Sequence, residues 1–144
     1  MTKELKNERE RQIRVMQKNL RGLREMAGYT TEELGEKIDV TAQSIRNWES
    51  QRGKMQFFTY IALRRVFEVI AEKDNNRVLF AAMDKIFTST EDEDVLMANI
   101  VAIGVLMNNS SNKDMVEKLI TSVLGEIPEK VEWEDVPSWL KELL

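Results

Sequence analysis

The chain has no cysteine and no histidine among its 144 residues, and only two prolines. Without cysteine it cannot form a disulfide, a thiolate zinc site or a cysteine nucleophile. Without histidine it lacks the commonest metal ligand and the commonest acid–base catalyst in proteins. We therefore expect no enzyme activity, no bound metal and no cofactor.

A long hydrophobic run is also missing. The longest apolar stretch, Val95–Met107, contains Asn99 and is shorter than the roughly 20 residues that span a bilayer. Acidic residues, Glu91–Asp94, precede it, so we interpret the stretch as a buried helix. No apolar segment follows the charged start Met1–Lys6, which is unlike a secretory signal. The expected location is the cytoplasm, with no membrane partner.

The charge of the chain is divided unevenly. The net charge is −4, which by itself disfavours a nucleic-acid partner. Residues 1–70, however, carry 14 Lys and Arg against 10 Asp and Glu, whereas residues 71–144 carry 7 against 15. The first half is thus positive by 4 and the second half negative by 8. This polarity favours an anionic partner near the N-terminal half.

Apolar residues at three- and four-residue steps predict helices in the first half. Helix one has its apolar face at Ile13, Met16, Leu20, Leu23 and Ala27 and ends at Gly28. Thr30 and Glu33 have the spacing of a capping box, which predicts a second helix over Thr31–Ile38. Asp39–Thr41 is interpreted as a tight turn, and a third helix follows over Ala42–Ser50.

The remainder of the chain also has helical periodicity and no strand alternation, so we predict an all-α protein. Two helices complete the N-terminal part, and after Thr88–Thr90 come the apolar helix, an amphipathic helix ending near Gly125 and a short helix containing Trp139 and Leu143. The predicted architecture is a five-helix domain over residues 1–88 and a small helical C-terminal lobe over residues 89–144.

The segment Leu20–Glu49 resembles the DNA-binding domain of lambdoid phage repressors and the related Xre family. The resemblance covers about residues 10–70 and implies a repressor-like helix-turn-helix. Its apolar and close-contact positions match Leu34, Gly35, Ile38, Val40, Ile45 and Trp48. Gly35 stands where the family usually has alanine, Thr31 replaces a frequent glutamine, and Gln51 occupies a usual glycine position.

The resemblance also implies roles for the polar residues of the motif. Reading of base edges in the major groove is expected from Ala42, Gln43, Arg46 and Asn47 on helix three. Phosphate contacts are expected from Thr31, Thr41, Ser44, Arg52 and Lys54. Arg24 and Glu49 match a pair that joins helix one to the end of helix three, and we expect a structural ion pair there.

The expected function is sequence-specific binding of double-stranded operator DNA by a transcriptional regulator. The resemblance implies a repressor from a phage, a mobile element or a bacterial chromosome. Paired DNA half-sites call for a homodimer, for which the segment after Asp92 is the available interface. A peptide or protein effector could bind the C-terminal lobe. Two alternatives stay open: an antitoxin whose second lobe binds a toxin, and an adaptor protein that has lost DNA contact.

Overall fold

The computed structural model describes residues 2–143, which contain eight α-helices and no β-strand. The prediction of an all-α protein is confirmed. The helices are α1 (Lys3–Ala27), α2 (Thr31–Ile38), α3 (Ala42–Glu49), α4 (Phe57–Lys73), α5 (Arg77–Thr88), α6 (Glu93–Asn109), α7 (Lys113–Leu124) and α8 (Ser138–Leu143). Within residues 2–143, no helix is both long enough and apolar enough to cross a membrane.

The 25-residue helix α1 is the centre of the fold. It begins immediately after Thr2, whose hydroxyl accepts a hydrogen bond from the Leu5 amide, and it ends where Gly28 takes the left-handed conformation at φ 80°. The charged leader is therefore part of the helix. Its apolar side chains Met16, Leu20 and Leu23 are fully buried, and α1 packs against α3, α4, α5 and α6.

Helix α6 lies alongside α1 and runs in the same direction. Arg14 of α1 binds Glu93 at the start of α6, and Glu25 of α1 meets Asn108 at its end. The hydrogen bond from Arg14 is the main cause that lowers the pKa of the Glu93 carboxyl. The two long helices are thus held together at both ends by polar contacts.

Two glycines allow the close approach of α1 and α6. A β-carbon added to Gly104 would lie 2.6 Å from the Gly22 carbonyl oxygen, and one added to Gly22 would lie 2.7 Å from the Ile100 side chain. Distances below 3 Å between such atoms are not tolerated, so both positions require the absence of a side chain. The glycines determine how deeply α6 packs onto α1.

The expectation that Val95–Met107 forms a buried helix holds for one side of α6. Leu96, Ile100 and Ile103 are buried against α1, whereas Val95 is 58% exposed. A single helix packed on a small core has only one covered side, and a sequence that is apolar all round does not tell which side that is. The other side of α6 presents a stripe of small and apolar residues, Val95, Ala98, Ala102 and Val105, that is exposed or half-buried.

The C-terminal segment returns to the N-terminal helices. Trp139 on α8 donates a hydrogen bond to the buried carboxylate of Glu68 on α4 at 2.7 Å, and Arg9 on α1 donates to the Leu143 carbonyl. Buried residues of α6, α7 and α8 therefore belong to the same hydrophobic cluster as those of α1 to α5. The division into two domains at residue 88 stays a prediction.

Candidate nucleic-acid interface

Helix α2 is stabilised at its start by the capping box. The Glu33 amide donates to the Thr30 hydroxyl at 3.1 Å, and the Thr30 amide donates to the Glu33 carboxylate at 3.0 Å. Each bond satisfies an amide that would otherwise lack a partner in the first turn. Leu34 is fully buried and anchors the helix to the core.

The turn between α2 and α3 is tight. Asp39 takes the left-handed conformation at φ 58°, which ends α2. A β-carbon on Gly35 would lie 2.5 Å from the carbonyl oxygen of Val40, so the residue has to be small because the backbone of the turn folds over it. From the sequence, Gly35 is expected to be the small residue at which the two helices contact each other. The structure locates the contact at the turn.

Helix α3 begins at the Thr41 cap, whose hydroxyl accepts from the Ser44 amide at 3.1 Å. Ile45 is fully buried, and Trp48 and Val40 pack against the core with part of their surface exposed. Gln43 and Arg46 are exposed on the outer side of the helix. Ala42 and Asn47 lie on the same side and are half-buried. The four expected base-reading residues thus share a polar, accessible helix face.

Two of the expected base-reading residues are bonded to each other. The Gln43 amide nitrogen donates to the Asn47 amide oxygen at 2.9 Å. This bond leaves the Gln43 amide oxygen free to accept and the NH2 group of Asn47 free to donate. Adenine presents one donor and one acceptor in the major groove, so the joined pair matches the pattern of this base.

Arg46 reaches across to helix α2. Its guanidinium donates to the Thr31 hydroxyl at 3.2 Å and to the Glu32 carboxylate at 3.3 Å. The pKa of Glu32 is lowered, first by a bond from its own backbone amide and then by Thr31 and Arg46. Arg46, an expected base reader, and Thr31, an expected phosphate contact, are therefore hydrogen-bonded to each other. The neighbouring carboxylate of Glu32 would repel a phosphate.

The ion pair between Arg24 and Glu49 joins α1 to the end of α3. Two bonds link the guanidinium and the carboxylate, from Nε at 2.6 Å and from Nη2 at 3.0 Å, and Nη1 donates to the Tyr29 carbonyl at 2.9 Å. Arg24 is only 9% exposed. Burial lowers the pKa of Arg24, but the bonds to Glu49 outweigh this and the pKa is raised overall.

The loop after α3 is held by a residue that sequence reasoning missed. The Gln17 side chain donates to the Gly53 carbonyl at 2.9 Å and accepts from the Met55 amide at 3.0 Å. Gln17 is 7% exposed, and a glutamine on the buried side of helix one was the signal that could have identified it. Gln51 in this loop has a φ of 62°, the conformation for which a glycine is usual.

The expected phosphate contacts Arg52 and Lys54 are exposed on this loop. Lys54 lines a cavity of about 470 Å³ together with Lys6 and Arg9 of α1. Gln56 precedes α4 without a side-chain hydrogen bond to its first amides, and the first turn contains no acidic residue. Glu10 also lines the cavity, but three cations and an open helix N-terminus outweigh this one carboxylate and favour an anion.

Thr41 and Ser44 lie at the start of α3, and their hydroxyl groups are 3.1 Å apart. The Thr41 oxygen accepts the capping bond, and its O–H group can donate to Ser44 or to a phosphate. Within residues 2–143 there is no cluster of three or more acidic side chains placed to hold a metal ion.

Comparison of the chain with protein-family models, with curated proteins and with solved structures finds no match. The function of this chain therefore has to be inferred from its own residues.

Proposed function

We propose that the protein is a sequence-specific DNA-binding transcriptional regulator of the lambdoid repressor type, with α1 to α5 as the repressor-like unit and α3 as the reading helix. The observation that carries the proposal is the construction of α2, the turn and α3. The capping box, the left-handed Asp39 and the contact of Gly35 with the turn backbone fix α3 in one orientation, with a polar face turned outward.

The chemistry of this face supports reading of bases. The Gln43 oxygen can accept from a base and the Asn47 NH2 group can donate to it, and Arg46 has the fork of donors that suits guanine. Arg46 must first leave Glu32, an exposed pair whose loss costs little free energy. Arg52 and Lys54 supply positive charge on the loop that follows, where a phosphate backbone would run.

Two copies of the chain are part of the proposal, because one small module offers few contacts and a two-fold pair doubles them. The exposed stripe Val95, Ala98, Ala102 and Val105 on α6 is the surface we assign to the pairing. A cytoplasmic location, where DNA is accessible, completes the proposal.

The experiment begins with selection of bound sequences from random duplex DNA, which yields the operator. Gln43→Ala and Asn47→Ala should then each weaken operator binding by about 1–3 kcal/mol and leave binding to scrambled DNA nearly unchanged, since they remove base contacts. Arg52→Ala should weaken binding to both DNAs and reduce the salt slope by about one unit, because one phosphate contact is lost.

Lys118→Ala is the matched control, since Lys118 is an exposed cation on α7, outside the motif. It should change neither affinity nor salt slope. Equal losses on operator and scrambled DNA for Gln43→Ala and Asn47→Ala would mean that α3 does not read bases, and failure of the selection to enrich any sequence would contradict specific DNA binding.

A further inference from the structure

A cavity of about 480 Å³ lies on the side of the molecule where the C-terminal segment meets α1, α4 and α5. Four aromatic side chains contribute to its wall: Phe80, Phe87, Trp133 and Trp139. Trp133 meets Phe80 edge to face, with ring centres 4.6 Å apart. Such a wall suits a planar apolar group.

The cationic group of the cavity is Arg64. It is 9% exposed, and its guanidinium lies 3.8 Å from the centre of the Phe87 ring and 4.1 Å from that of Trp139. Nη1 donates to the Tyr60 hydroxyl at 2.6 Å and to the Gln12 amide oxygen at 3.1 Å. Both of these partners are neutral, and burial lowers the pKa of the guanidinium.

The other edge of the Arg64 guanidinium carries a donor that a ligand can reach once the aromatic side chains that cover it shift. Nε is buried and has no hydrogen-bond partner within residues 2–143. The carboxylate of Glu68 is close in the fold, but its two oxygens accept from Trp139 and Arg65. Nε together with Nη2 forms the edge that binds a carboxylate through two parallel bonds. A buried donor without a partner costs free energy, which a ligand carboxylate would recover.

A second donor in the same cavity also lacks a partner. Trp133 Nε1 is buried and, in the part of the chain that the structure describes, bonds to nothing. Indole N–H groups that are buried usually find an acceptor. Two residues that line the same cavity thus each hold a buried donor without a partner, which favours an acceptor group that comes from outside the chain.

The charged side chains around the opening of the cavity are negative, opposite in sign to Arg64. Five exposed carboxylates line the cavity: Glu8, Asp84, Glu132, Glu134 and Glu142. No lysine lies among the lining residues, and Arg64 is their one cation. A ligand with a carboxylate alone would be repelled by this rim, whereas an additional ammonium group would be attracted to it.

We infer that this cavity binds a small zwitterionic aromatic ligand, of the class of the free aromatic amino acids. Its carboxylate bonds to Arg64 and to the Trp133 N–H, its ring packs among the aromatic side chains, and its ammonium group faces the acidic rim. The site is separate from α3, so the inference does not depend on DNA binding.

Calorimetric titration of the full chain tests the inference with three related probes. L-Phenylalanine has the ring and both charges, 3-phenylpropionate lacks the ammonium group, and phenethylamine lacks the carboxylate. L-Phenylalanine should bind, and each of the other two should bind at least about tenfold more weakly, since each loses one charge-assisted contact. No heat from L-phenylalanine at millimolar concentration, or equal binding of 3-phenylpropionate, would overturn the assignment.

Two variants locate the binding without disturbing Arg64, whose replacement endangers the fold. Trp133→Phe keeps an aromatic ring and removes the N–H, and it should weaken L-phenylalanine binding about fivefold. Glu134→Gln should weaken L-phenylalanine and strengthen 3-phenylpropionate, whereas Glu126→Gln, outside the cavity, should change neither. Unchanged affinity in Trp133→Phe would place the probe elsewhere and contradict the site.

Discussion

The Arg24–Glu49 pair fixes the end of α3, and most of its surface is removed from water. The two side chains are 11% and 10% exposed. Charged groups in such a position stabilise the protein only as a bonded pair, because either charge left alone keeps its dehydration cost. The pair therefore serves to orient α3 more than to add stability.

Glu49→Gln should lower the free energy of unfolding by about 2 kcal/mol, because Arg24 keeps the Tyr29 carbonyl but loses its carboxylate. Urea denaturation of the purified variant measures the change. Glu36→Gln, an exposed carboxylate on α2, serves as the control and should cost close to nothing. Equal stability of both variants would show that the ion pair does not fix α3.

Buried polar residues were the hardest to predict from the sequence. Charged side chains are usually exposed, yet Arg64 and Glu68 are only 9% and 0% exposed. Their partners come from α1, α4 and α8, and no local pattern brings those segments together. Charged residues inside a core are recognised only when the packing of distant helices is known.

At the scale of elements, α2 and α3 could be predicted almost residue by residue. The Thr30–Glu33 capping box and the Thr41 cap act within a few residues, so their signals are complete in the local sequence. The packing of α6 on α1 could not be predicted, because it depends on Gly22 and Gly104, two positions far apart in the chain. The covered side of α6 was unknown for the same reason.

The close packing of α1 and α6 predicts the sign of the stability change when Gly104 is replaced by alanine. In a helix interior, Gly→Ala raises stability by about 1 kcal/mol when nothing opposes the new methyl group. Gly104→Ala should instead lower the free energy of unfolding by about 2 kcal/mol, because the methyl group meets the Gly22 carbonyl and the Glu25 side chain. Thermal or urea unfolding decides the matter, and a stabilised variant would contradict the close approach.

At the scale of the whole molecule, we predict that two copies of the chain form a homodimer through α6. The exposed stripe on α6 begins at Val95, which is 58% exposed, and continues through alanines that allow two helices to approach closely. Light scattering at tens of micromolar, a concentration at which weak dimers persist, should give twice the mass of one chain.

Ala98→Glu should shift that mass toward one chain, since a carboxylate would be placed in the paired surface, next to the acidic start of α6. Thr121→Glu on the exposed side of α7 adds the same charge elsewhere and should leave the mass unchanged. A wild-type protein that scatters as one chain would remove the dimer from the proposed function and leave pairing to the DNA.

The position of α6 on α1 also has a consequence for synthesis on the ribosome. Helix α1 emerges before α6, and its partner surface on α6 begins only at Glu93. At the usual 5–20 residues per second, the Gly22 side of α1 waits on the order of ten seconds for its cover. This part of the core therefore closes only when residues 93–109 have left the exit tunnel, around a helix that was made much earlier.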